Sequence, residues 1–341
     1  MFPPTVFLPS SKKRVCNVTK INEVEGIRLI HKISSLYYSK GFSQQEISER
    51  LKISRPRISR LLKKARELGI VQIIVNIPDD HHVDLETKLE KKFNLREVII
   101  VETSVSESIH ENDIKNSLGF AASKYLERTI SDGDIIGMSW GTTLKSMIEN
   151  VSYISTNDVH VVQTLGGVGP ADARDHAMDI SRRLSIQLDA RLTLLQIPGI
   201  VSSPEIKKIL LTDHRLQANF ELFSKINKVF VGIGSLKTNP ILNRKNKEIP
   251  NAILKDILHS KAVGDIGLNF FDINGMEVDT GFKDLFIGMT LEDFKHVDNV
   301  VGVAGGVAKF EAILGAVTGG FLDVLITDHA TAVKLLRDRK Q

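Results

Sequence analysis

The 341-residue chain has one cysteine, Cys16, which excludes an internal disulfide and a cysteine-based zinc site and fits a reducing, cytoplasmic setting. No run of about 18 apolar residues exists, so no membrane-spanning helix is expected. The basic cluster of the first 19 residues follows their apolar part, the reverse of a secretory signal, and the segment reads as a poorly ordered arm. Neither a Walker phosphate loop nor a full dinucleotide fingerprint is present, and no cofactor is implied. The ten histidines are scattered, with no compact set of histidine and carboxylate for acid–base catalysis. His81-His82 has no partner at a metal-ligand spacing, so it reads as solvated linker, and no metal site is expected.

With 42% hydrophobic residues the chain can bury a sizeable core, and its length implies two domains. Its charge is uneven. Residues 1–80 hold 15 Lys+Arg against 7 Asp+Glu, whereas the remainder holds 30 against 34. A basic end of this kind suits a polyanion, and the near-neutral body has another task.

The basic end is organised. Ser43 with Glu46 three residues later forms a capping box, and Ser54 with Pro56 opens a second helix across a short turn. Ile47, Leu51, Ile53, Ile58, Leu61, Leu62, Ala65 and Leu68 supply inward faces, Gly69 ends the pair, and a helix over about 27–38 closed by Gly41 completes a three-helix unit. From Ser54 to Arg66 there are six basic residues and no acidic one. This is the pattern of a helix-turn-helix whose second helix enters a DNA major groove. Ser54, Arg55, Pro56, Arg57, Ser59 and Arg60 occupy the base-reading end, while Lys63 and Lys64 reach phosphates and Gln44 and Gln45 meet the backbone from the preceding helix.

A β-branched run at 71–77 ends at Pro78, and Asp79-Asp80-His81-His82 marks the hinge. Four segments follow from these signals: an arm at 1–22, the helix-turn-helix domain at 23–78, a linker with a connector helix at 79–95, and an effector-binding and oligomerisation domain at 96–341. In the last, strands are expected at 98–101, 135–139, 159–164, 229–232, 300–303 and 324–326, mostly separated by helices, which is the pattern of a mostly parallel α/β sheet covered on both faces. Phe270 to Met276, with Asn274-Gly275, predicts a small hairpin.

Ligands of such sheets bind beyond the carboxyl ends of the strands. Gly141-Thr142-Thr143 follows one strand and opens a helix. Gly166-Gly167 follows the next, Gly232-Ile233-Gly234-Ser235 another, and Gly305-Gly306 with Lys309 the penultimate one. Hydroxyls, backbone amides and an ammonium suit a small phosphorylated ligand. Asp265 is either an acceptor for ligand hydroxyls or a turn cap. The effector-binding set is therefore Gly141, Thr142, Thr143, Gly166, Gly167, Asp265, Gly305, Gly306 and Lys309.

The chain resembles the SorC/DeoR-type sugar-responsive transcriptional regulators of bacteria. The likeness is carried by Gln45-Glu46-Ile47 and the stretch from Ile53 to Leu62. In the body it rests on Asp132-Gly133-Asp134, Trp140 to Thr143, Gln163 with Gly166-Gly167, Val263 to Ile266, Phe270-Phe271-Asp272, Gly305-Gly306 with Lys309, and Leu325 to Asp328. It implies an N-terminal helix-turn-helix and a larger sugar-phosphate-binding domain similar in fold to phosphosugar isomerases, used for sensing. It also implies a homotetramer or dimer of dimers, bound to double-stranded operator DNA and altered by a sugar or sugar phosphate. The competing class is an active phosphosugar isomerase or deaminase with a DNA-binding appendage, for which Asp265 and Lys309 would be the acid–base pair. Leu285 and His329 depart from the arginine and the acidic residue common at those positions among relatives.

Overall fold

Ser43 and Glu46 close the expected capping box from both sides: the Glu46 amide donates to Ser43 Oγ at 3.2 Å, and the Ser43 amide donates to Glu46 Oε2 at 2.7 Å. They belong to a computed structural model that describes residues 6–7, 20–73, 82–102, 111–168, 171–242 and 249–338. Its internal contacts divide the chain into two units, Met1–His81 and His82–Gln341.

In the first unit, α1 (Lys20–Ser34) starts earlier than the sequence pattern indicates and widens at its end into a π-type turn, Ser35–Ser39. Helices α2 (Gln44–Leu51) and α3 (Arg55–Glu67) follow, joined through Lys52, whose left-handed backbone ends α2. Ile33, Leu36, Ile47, Ile58 and Leu62 form the core between them, with Ile30, Ala65 and Val71 beside it. Leu68 departs from its expected inward place. It is the residue that ends α3, just before the chain reverses at Gly69, and it is 51% exposed. Two short strands, β1 (Val6–Phe7) and β2 (Gln72–Ile73), pair antiparallel, so part of the expected arm is in a sheet. The rest of the 71–77 run, and most of the arm, lie outside the described residues.

The second unit opens with α4 (Val83–Phe93) and then alternates: β3 (Glu97–Val101), α5 (Glu111–Thr129), β4 (Ile135–Met138), α6 (Thr142–Asn150), β5 (His160–Gln163), α7 (Ala171–Gln187) and β6 (Arg191–Thr193). After α8 (Pro204–Thr212) and α9 (His214–Glu221) come β7 (Lys228–Ser235), α10 (Asn251–His259), β8 (Ala262–Ile266) and β9 (Asn269–Asp272). The chain closes with α11 (Leu291–Lys295), β10 (Asn299–Val303), α12 (Phe310–Thr318), β11 (Val324–Asp328) and α13 (His329–Arg337). Seven strands form a parallel sheet in the order β3-β11-β10-β7-β4-β5-β6. Each face carries an apolar layer, one centred on Val229, Val231, Ile313 and Leu325, the other on Leu126, Ile136, Met147 and Leu184. Burial on both faces explains why these strands read as continuous apolar runs.

The edge strand β3 is protected from pairing with another chain. Glu90 and Glu86 of α4 accept the amides of Val98 and Ile100 at 3.0 and 2.9 Å. At the amino end of the sheet, Lys228 Nζ donates to Asp134 Oδ2 at 2.8 Å and to Thr129 O at 2.7 Å, a buried ion pair between β7 and the residue before β4.

Strand β7 corrects the sequence reading. It does not stop at Gly232. It continues to Ser235 because its last residues pair antiparallel with β8, Gly234 opposite Asp265. The β8–β9 hairpin turns at Gly267-Leu268, both with positive φ as a two-residue type I′ turn requires. Asn274-Gly275 makes the next turn, after β9, leading to a bridge between Phe271 and Glu277.

Candidate functional site

Two features stand out, one in each unit. In the first, the outer side of α3 presents Arg55, Pro56, Arg57, Ser59, Arg60, Lys63 and Lys64 to solvent while Ile58, Leu62 and Ala65 are buried. Ser54 and Gln45 are also exposed, and Gln44 is half-buried. No acidic residue occurs in α3 before Glu67, which lies 3.9 Å from Lys63 in a solvated pair. Among the described residues the guanidinium of Arg60 is held by a long 3.4 Å contact to Pro56 O, so it costs little to redirect.

In the second unit a pocket of about 300 Å³ opens beyond the carboxyl ends of β4 and β7. These two neighbours are where the sheet order reverses: β5 and β6 extend from β4 on one side, β10 and β11 from β7 on the other. A crevice at such a reversal is the usual ligand site of a parallel α/β sheet. Its lining is polar where it matters: Thr142 and Thr143 at the start of α6, Ser235 at the end of β7, Thr238 and Asn239 after it, Asp265 from β8, and Lys115 and Lys309 from two sides.

Gly141 precedes α6 with φ +128° and no side chain caps the helix there. The amides of the first turn have no intrahelical partner and therefore leave donors for an anion. Lys309 Nζ donates to Ile233 O at 3.0 Å, which anchors the ammonium against the carboxyl end of β7. Asp265 is buried, accepts from Asn239 Nδ2 at 2.9 Å and from the Leu268 amide at 3.1 Å. Burial pushes its carboxyl above the ordinary aspartate value, and the Asn239 and Leu268 hydrogen bonds and the nearby Lys309 charge only partly offset this. Asp265 is thus both pocket wall and turn cap.

Of the residues singled out from sequence, Gly141, Thr142, Thr143, Asp265 and Lys309 are brought together here. Gly166, Gly167, Gly305 and Gly306 are not among the lining residues. Gly166 packs against Gly199, where a Cβ would stand 2.7 Å from the Gly199 amide nitrogen and the Ile197 carbonyl, and Gly167 bridges Pro198. Gly306, at φ +94°, donates to Asp328 Oδ2 at 2.6 Å, and this tie sets the turn Val307–Lys309 that delivers Lys309. Those glycines serve the loops' packing. Lys115, Trp140, Thr238 and Asn239 were missed as pocket residues. Lys115, Thr238 and Asn239 lack any local motif, whereas Trp140 lies inside the strand-end stretch Trp140 to Thr143.

Residues 78–337 match the family model of a sugar-binding domain, Sugar-bind, and residues 32–67 match that of sigma-70 region 4. The chain is 32% identical to the deoxyribonucleoside regulator of Bacillus subtilis (strain 168) over 89% of its own length and 95% of that protein. It is 31% identical to the sorbitol operon regulator of Klebsiella pneumoniae over 92% and 99% of the two chains. The crystal structure of that full-length regulator, SorC, superposes with a TM-score of 0.69 at 30% identity, covering 91% of this chain and 99% of the other. A DeoR family transcriptional regulator from Listeria monocytogenes gives 0.66 at 27% identity, over 74% and 98%.

Proposed function

The chain belongs to the SorC/DeoR-type family of sugar-responsive transcriptional regulators, and we propose on that premise that it binds operator DNA through α2 and α3 and senses a sugar or sugar phosphate in the β4–β7 pocket. It is a regulator and not an enzyme. The observation that carries the reading is the pairing, in one chain, of an exposed basic helix with a polar pocket at the sheet reversal.

The chemistry of the pocket supports a phosphorylated polyol. The α6 amides and Lys309 suit the phosphate, while Asp265 and Asn239 suit hydroxyls. Each Asp265 oxygen accepts one internal hydrogen bond and Lys309 donates one to Ile233 O, which leaves lone pairs and N–H donors for a ligand's hydroxyls and phosphate. We place the larger unit beside the phosphosugar isomerases in fold, with sensing in place of turnover, and we assign the active oligomer as a tetramer or dimer of dimers. Effector binding shifts the population between forms with different spacing of paired DNA-binding units, and a tenfold change in operator affinity requires only about 1.4 kcal/mol of coupling.

The test is a thermal-shift screen of the full chain against free and phosphorylated pentoses, deoxypentoses and hexitols, followed by operator titration with each hit. A phosphorylated sugar that stabilises the protein and changes operator affinity supports the reading. Steady conversion of that sugar, followed by NMR, overturns it.

A further inference from the structure

A second cluster of chemistry-bearing side chains lies away from the pocket, at the outer edge of the same sheet end. His82, the first residue of the second unit and the one preceding α4, lies with its ring parallel to that of His329, centroids 4.4 Å apart and 11° between the planes. Glu102 completes the group, with Oε1 2.5 Å from His82 Nε2. The three residues each turn a nitrogen or a carboxylate oxygen inward, all within 4.8 Å of one another.

The sheet fixes this meeting. Strands β3 and β11 run parallel with Val101 opposite Asp328, so the next residues, Glu102 and His329, emerge side by side. Helix α4 brings His82 to them. Among the described residues His82 Nε2 is buried from solvent and makes no hydrogen bond, and the Glu102 carboxylate is its close neighbour. A buried ring nitrogen beside a carboxylate and a second imidazole is a donor set that a metal ion satisfies.

We propose that His82, Glu102 and His329 form a binding site for a divalent transition-metal ion of the zinc class. Two imidazole nitrogens and one carboxylate oxygen are borderline ligands, suited to Zn²⁺, Co²⁺ or Ni²⁺ and poorly suited to Mg²⁺ or Ca²⁺, which take oxygen. Bonds of about 2.0–2.2 Å to one ion require the two rings to turn out of their stacked arrangement so that their nitrogens converge. The Glu102 side chain is half exposed, so the fourth position opens to solvent and the ion exchanges. Asp328 is no fourth ligand: its oxygens are taken by the Gly306 amide and by Thr331. Bound metal would pin the start of α4, where the chain enters this unit, to the ends of β3 and β11.

The experiment uses the full chain stripped with chelator and titrated with Zn²⁺ by calorimetry, and with Co²⁺ by visible absorption. One ion per chain, a rise in melting temperature and a Co²⁺ spectrum of tetrahedral type are expected, with no competition from Mg²⁺. His82→Ala and His329→Ala should each weaken Zn²⁺ binding by about tenfold or more, and Glu102→Gln should weaken it as well. Metal-free circular dichroism and melting temperature confirm that each variant is folded. Absence of binding overturns the proposal, and so does undiminished one-to-one binding in folded His329→Ala, which would place the ion at other histidines.

Discussion

Gly234 lies directly opposite Asp265 across the β7–β8 pair, and a Cβ at position 234 would collide with Asp265 Oδ1. The absence of a side chain on one strand is what lets the carboxyl of the other lie buried at the pocket wall and accept from Asn239 and Leu268.

Gly234→Ala should therefore displace Asp265. The expected cost is about 1–3 kcal/mol of stability from overpacking, together with a clear loss of effector affinity. Operator binding without effector should stay near the parent level, because nothing in the DNA-binding unit changes. Chemical denaturation and calorimetry with the effector found by screening check both halves. Unchanged effector affinity would show that Asp265 is only a turn cap.

At the anion end, Lys309→Ala removes a charged donor and Thr142→Val a neutral one. The losses in effector affinity should be about 1.5–3 and about 0.5–1.5 kcal/mol respectively. Titration of both variants with phosphorylated and free forms of the effector decides the matter: equal affinities in the parent, insensitive to either change, would move the ligand elsewhere.

On α3, Arg60→Ala should cost about 1–3 kcal/mol and relax sequence preference, whereas Lys63→Ala should weaken specific and nonspecific DNA alike and lower the salt slope by about one. Footprints at fixed salt separate the two. If both variants bind as tightly as the parent, the outer face of α3 is not the groove-facing one.

The Asp134–Lys228 pair predicts an acid limit to stability. Burial raises the Asp134 carboxyl, but the Lys228 ammonium, the Ser131 amide and the Asn227 side chain outweigh it, and the net shift is downward. A carboxyl lower in the folded state contributes stability that is fully present above its unfolded pKa of about 3.9 and fades as pH falls through the folded value. Asp134→Ala, which leaves Lys228 buried without its counter-charge, should cost about 3–5 kcal/mol at pH 7. That penalty should shrink in urea titrations carried below about pH 4. A penalty independent of pH would mean that packing, not charge, is what Asp134 supplies.

The helix-turn-helix was legible because its signals are local. The capping box spans four residues, the apolar faces repeat within one helix, and the basic charge of α3 is contiguous. The alternation of apolar strands and helices likewise fixed a mostly parallel sheet, since strands buried on both faces must be apolar throughout. The strand ends at Gly141 and Lys309 could be singled out because a glycine turn before a helix has a local signature.

Tertiary structure alone decided which strand ends share a pocket. Gly166 and Gly306 look like Gly141 in sequence, yet the first is held against Gly199 and the second against Asp328, outside the lining. The length of β7 depended on its antiparallel partner β8, and Asp265 found its acceptor role through Asn239 and Gly234, 26 and 31 positions earlier in the chain. His82, Glu102 and His329 have no common spacing at all. They meet because β3 lies next to β11 and α4 returns to that edge, and register between distant strands is set by the packing of the whole sheet, which no short window of residues contains.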